Sequence, residues 1–115
     1  MYVESECEPV KETISFFLGP PDTIADGLKT SIGEITCPII LEHIDDVITV
    51  TEEEIISATR LVLERMKVVI EPSSGVVLAA ALNDRFKRMT ADMKNVAVLL
   101  VGGNLDLDQL PWNKN

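Results

Sequence analysis

Three observations predict an α/β domain. Two runs, Val47-Ile48-Thr49-Val50 and Val96-Ala97-Val98-Leu99-Leu100-Val101, have the β-branched or apolar composition of short buried strands. Between them lie two stretches with helical signals, so strand, helices and strand make a parallel crossover. The second run opens onto Gly102-Gly103-Asn104. Ligands of open α/β sheets bind outside the carboxyl ends of strands, and paired glycines let backbone approach a ligand closely. The same pair also reads as a plain glycine turn after a core strand.

Composition bounds the class. A chain of 115 residues has room for one small domain with a single core. Its hydrophobic fraction of 46% and mean hydropathy of +0.19 are those of a globular protein, not a disordered one. Ten basic residues against 19 acidic give a net charge of −9, which argues against a nucleic-acid partner, because such binding rests on Lys and Arg neutralising phosphates. Cys7 and Cys37 form no C-x-x-C pair and predict neither a zinc site nor a disulfide framework, but two reduced thiols. No apolar run reaches the roughly 20 residues that span a bilayer, and the N-terminus is acidic where a signal peptide is basic. A soluble, cytoplasmic protein is the expectation.

Residues 1–21 carry little pattern and are set apart from 22–115. Within them the apolar patch Ile14-Ser15-Phe16-Phe17-Leu18, a short helix or edge strand, stops at Gly19-Pro20-Pro21. Pro38 pre-sets a helix over Pro38 to Ile44, with Ile39, Ile40 and Ile44 on one face and Asp45-Asp46 as its break. After the 47–50 strand, Thr51 and Glu54 form a capping box, with Glu52 and Glu53 at the positive end of the helix dipole. Ile55, Ala58, Val62, Met66 and Val69 continue that helix at the 3.6-residue period, and Pro72 ends it. Ser73 or Ser74 then caps a second helix. Its stretch Val76 to Leu82 is apolar or small on every side, and Arg85, Lys87 and Arg88 close it.

Few of these residues announce chemistry. His43 is the only histidine and reads as a surface residue, and no Ser-His-Asp set exists. The pairs Asp45-Asp46 and Asp106/Asp108 read as caps and dipole partners rather than as an acid/base pair. No Walker loop or G-x-G-x-x-G is present. Lys29, Lys67, Lys87 and Lys94 sit in surface or helix-end contexts, none like a buried Schiff-base lysine. Glu71, directly before Pro72, stands at a helix-to-helix break where a carboxylate can face a cofactor.

Five blocks occur in order: Asp22-Thr-Ile-Ala-Asp-Gly-Leu-Lys29, Asp45-Asp-Val-Ile-Thr-Val-Thr-Glu-Glu-Glu-Ile55, Ala58-Thr-Arg-Leu-Val-Leu-Glu-Arg-Met-Lys67, Ile70-Glu-Pro-Ser-Ser-Gly75 and Gly102-Gly-Asn104. Together they resemble serine racemase and the related serine/threonine dehydratases over about residues 20 to 113. These are fold type II (tryptophan synthase β-like) pyridoxal-phosphate enzymes, so residues 22–115 would form the C-terminal part of a parallel-sheet large domain. In that family the substrate amine displaces a lysine from the cofactor aldehyde, and the pyridine ring takes up electrons from Cα. The Schiff-base lysine motif and the phosphate loop lie in the family's earlier part, which implies that this chain has no catalytic residue of its own and is inactive alone.

The resemblance implies a cofactor wall of Glu71, Val101, Gly102, Gly103 and Asn104, and places Lys67 and Asn104 in a nucleotide-effector site between subunits, with ATP and Mg as effectors. Serine or threonine would be the substrate of the complete enzyme, and a homodimer its state. Two departures stand out. Val101 occupies the place of a serine whose hydroxyl bonds the pyridine nitrogen. Glu8-Pro9 resembles the start of the family's metal site, but the second expected acid falls on Ile14, so no metal is assigned. Two further readings stay open: a non-catalytic protein that pairs with full-length family subunits, and an unrelated small α/β ligand-binding domain.

Overall fold

The computed structural model describes residues 22–30 and 32–112, so the patch at 14–18 and the residues around Cys7 lie outside it. The described chain divides into two units. One holds residues 22–23 and 27–47; the other holds Ile24–Asp26 and everything from Ile48 onward.

In the first unit the Gly33 carbonyl accepts from Thr36 N at 3.1 Å, Cys37 N at 3.0 Å and Thr36 Oγ1 at 3.0 Å. Those bonds start α1 (Thr36–His43) two residues before the expected Pro38. Pro38 sits in the first turn, where its missing N–H has no partner to lose. At the far end Ile44 turns extended while its N–H still reaches Ile40 O at 3.0 Å. Asp46 Oδ1 accepts from Val47 N at 2.8 Å, beyond the Ile44 C-cap at which the helix has already ended. Of the expected apolar face, Ile39 and Ile44 are exposed. The expected reduced thiols are corrected: Cys37 is buried and disulfide-bonded. Its bridge could not be foreseen from spacing, because a disulfide depends on how the chain folds back.

The second unit begins its main body with the capping box the sequence predicts. Glu54 N donates to Thr51 Oγ1 at 3.2 Å, and Thr51 N to Glu54 Oε2 at 2.7 Å. Glu52 Oε2 also accepts from Ile24 N at 3.0 Å, which ties the buried Ala25 segment to the same turn. Thr51→Ala should lower the stability of this unit by about 1 kcal/mol in thermal denaturation, with Thr51→Ser close to wild type.

From that box α2 (Glu52–Leu61) runs with Ile55, Ala58 and Thr59 buried. It does not continue regularly to Val69. The helix widens into a π-helical turn, Val62–Met66, and stops at Lys67, which is left-handed at φ 58° and ψ 31°. Arg60 Nε pairs with Glu64 Oε1 at 2.6 Å across the junction, and that hydrogen bond holds the Glu64 carboxyl below the usual carboxylate range. Both side chains are half in water, so the pair adds little stability.

α3 (Pro72–Leu82) follows with Glu71 as N-cap and Pro72 at its first position. The expectation that Ser73 or Ser74 is the cap is thus corrected; both are buried inside the first turn. α3 packs closely on α2, with Gly75 against the Thr59 hydroxyl, which itself donates to Ile55 O at 2.8 Å. Asn83 then ends α3 and caps α4 (Asp84–Met89), its Oδ1 accepting from Arg85 N at 2.8 Å. Arg85, Lys87 and Arg88 therefore close a separate short helix.

No strand is assigned among the described residues, and the parallel sheet expected from 47–50 and 96–101 is not formed there. A strand exists only as a ladder with a neighbour. The 96–101 run lacks one, and Leu99 is 73% exposed with Val96 and Val101 also in solvent.

Candidate cofactor wall

The start of α3 and the glycine loop meet in the second unit. Glu71 has extended backbone at φ −76° and ψ 157°, and its carboxylate caps no helix N–H. It lies across Gly102 instead. A Cβ built on Gly102 would overlap the Glu71 carboxyl carbon and fall 2.6 Å from Oε1, so the carboxylate fills the space that any other residue would need. Gly102 is at φ +73°, which only glycine adopts readily.

Backbone bonds fix the approach. Glu71 N donates to Gly102 O at 3.3 Å, while Glu71 O accepts from Ser74 N at 2.9 Å. Gly103 runs flush against the other side, where a Cβ would stand 3.1 Å from Val69 O. The completely buried Ser74 hydroxyl accepts from Val101 N at 2.7 Å and donates to Val101 O.

Of the expected wall, Glu71, Val101, Gly102 and Gly103 therefore come together. Asn104 follows them, exposed. Lys67 is exposed on its left-handed backbone, and no hydrogen bond joins it to Asn104 among the described residues. Lys29, Lys87 and Lys94 are exposed as well. Asp106 acts as the cap expected of it, its Oδ1 accepting from Asp108 N at 3.0 Å and its Oδ2 from Gln109 Nε2 at 2.8 Å. The described residues hold no group of three or more His, Cys, Asp or Glu arranged to take a metal. Ser74, read from the sequence as a possible helix cap, instead joins this loop through its hydroxyl. Pro72 at the first helical position is the available signal, since it puts Ser74 inside the turn rather than at its cap.

The sequence profile of the family described as "Pyridoxal-phosphate dependent enzyme" matches residues 2–102. The chain belongs to that family. Serine racemase of Rattus norvegicus is 56% identical to this pyridoxal-phosphate family member over 97 residues, which are 84% of the chain and 29% of the relative. A pyridoxal 5'-phosphate-dependent aspartate racemase superposes with a TM-score of 0.74 at 45% identity, over 80% of the chain and 29% of that structure. The threonine deaminase of T.th. gives 0.64 at 39% identity, over 77% and 29%. The neighbours are fold type II enzymes, and the chain spans less than a third of the length of those it matches. An unrelated small α/β ligand-binding domain is thereby overturned.

Proposed function

We propose that the chain supplies the closing wall of a pyridoxal-phosphate site in a serine racemase or serine/threonine dehydratase-like enzyme. The observation that carries this reading is the Glu71 carboxylate seated over Gly102. A flat ring can lie along a wall built of glycine backbone, because no side chain projects from 102 or 103 to hold it off. Bound there, pyridoxal phosphate supplies an electron sink for bonds at the amino-acid Cα.

Each residue of the wall has a limited part. Gly102 and Gly103 admit the ring edge, Glu71 offers a carboxylate that accepts or holds a proton beside it, and Val101 offers no polar side-chain atom to the ring nitrogen. The wall itself is built of no cationic residue that could hold a phosphate, and Lys29, Lys67, Lys87 and Lys94 are exposed. By the family resemblance, phosphate binding and covalent attachment belong to the earlier part of the family subunit. On this reading the chain is inactive alone, serine or threonine is the substrate of the complete enzyme only, and Lys67 and Asn104 remain a nucleotide-effector surface for ATP and Mg. A cytoplasmic setting belongs to it as well, with the Cys37 disulfide the one observation that pulls the other way.

The exposed apolar residues Val68, Val69, Val96, Leu99 and Val101 favour a second reading, a non-catalytic protein that pairs with full-length family subunits. Two measurements test these readings. After mixing with pyridoxal phosphate and desalting, the purified chain should retain no near-visible absorbance band that borohydride removes, and a retained band of that kind would overturn the assignment of the lysine elsewhere. Co-elution with a full-length serine racemase would favour the pairing reading.

A further inference from the structure

We propose that Ser74 is a positioning residue that sets the peptide between Val101 and Gly102, and through it seats the Glu71 carboxylate. Its functional meaning rests on the cofactor-wall reading, which it deepens. A serine within a helix usually bonds back to the carbonyl four residues earlier. Ser74 does not serve its own helix. Its hydroxyl reaches 27 residues along the chain, accepting from Val101 N at 2.7 Å and donating to Val101 O.

That donation fixes a plane. The Val101 carbonyl and the Gly102 N–H share one rigid peptide unit, so holding the carbonyl fixes the orientation from which Gly102 departs. Glycine accepts either sign of φ at similar energy, and the peptide before it can flip between the two turn geometries. Gly102 is found at φ +73°, with its open side to the Glu71 carboxylate. Glu71 N completes the grip by donating to Gly102 O at 3.3 Å. Residues 71 and 74 are three apart on the first turn and so lie on one side of it. The helix start thus holds three polar groups of the loop: Val101 N, Val101 O and Gly102 O. Val101 has no hydroxyl to offer, and the Ser74 hydroxyl is spent on backbone.

The test is Ser74→Ala in the whole chain, read by amide hydrogen exchange and by the carboxylate carbon resonance of Glu71. Exchange at Val101 should speed by roughly ten- to a hundred-fold, as expected for one donor left without its acceptor, while α2 stays protected. The Glu71 and Gly102 resonances should move together. Uniform acceleration across α2 and α3, or an unmoved Glu71 resonance, would reduce Ser74 to ordinary core and overturn the proposal. Should Ser74→Ala fail to fold, Ser74→Cys keeps the volume with a weaker donor. It should give an intermediate acceleration confined to 101–102, and wild-type exchange there would overturn the proposal equally. Neither arm contains pyridoxal phosphate. Equilibrium dialysis of the wild-type chain against pyridoxal phosphate is read separately, so failure of the clamp and failure of the cofactor reading are distinct results.

Discussion

Gly102→Ala should cost about 1–3 kcal/mol and expel the Glu71 carboxylate from the loop. Two penalties combine. A left-handed φ of +73° costs a non-glycine residue on the order of 1–2 kcal/mol. The added methyl also overlaps the Glu71 carboxyl group, which must swing out because the Gly102 backbone is tied to Glu71 N. A double-mutant cycle with Glu71→Ala separates the penalties in urea denaturation. The clash disappears in the double mutant and the backbone cost remains, so the loss from Gly102→Ala should be smaller on the Glu71→Ala background. Equal losses on both backgrounds would mean that the carboxylate does not occupy the glycine's open side. Gly103→Ala is a milder control, since its Cβ would stand 3.1 Å from Val69 O and needs a shift of only a few tenths of an ångström.

Gly75→Ala should also destabilise the chain by about 1–3 kcal/mol, against the usual preference for alanine in a helix. The preference is worth roughly 0.5–1 kcal/mol in alanine's favour. It is outweighed because the Cβ would overlap Thr59 Oγ1 and come 3.1 Å from the Ile55 carbonyl oxygen. One obstacle is a side chain and the other is backbone of α2, so the two helices must separate. Thr59→Ala removes the first obstacle only. The double mutant should therefore be more stable than the sum of the single losses predicts, yet below wild type. Thermal denaturation that found Gly75→Ala as stable as wild type would mean that α2 and α3 do not pack at this point.

Local chemistry was legible where one signal decided the structure. The Thr51 and Glu54 box and the Asp106 cap appear as read, because each is a short-range bond between a side chain and nearby backbone. Glu71 lies against Gly102, a contact that spacing alone would not have shown, since residues 71 and 102 are far apart in the chain. The end of α2 was not legible. A left-handed helix stop ordinarily carries Gly or Asn, and here it carries Lys67. The break between α3 and α4 was missed, because the apolar run before it and the basic run after it read as one helix and the Asn83 cap was not singled out. The two strands failed for a different reason. Their residues suit a sheet, but strand structure requires a neighbour, and Leu99 faces solvent without one. The parallel sheet of the complete fold stays a proposal tied to the family.

The most direct measurement is cofactor retention by a chimera in which residues 22–112 of this chain replace the matched part of rat serine racemase. The expected result is a folded protein purified with pyridoxal phosphate, showing the visible band of lysine-bound cofactor. Gly102→Ala in the chimera should weaken cofactor affinity at least about ten-fold, the equivalent of about 1.4 kcal/mol. A folded chimera without cofactor, or one whose affinity ignores Gly102→Ala, would contradict the assignment of Glu71 and Gly102 to the cofactor wall.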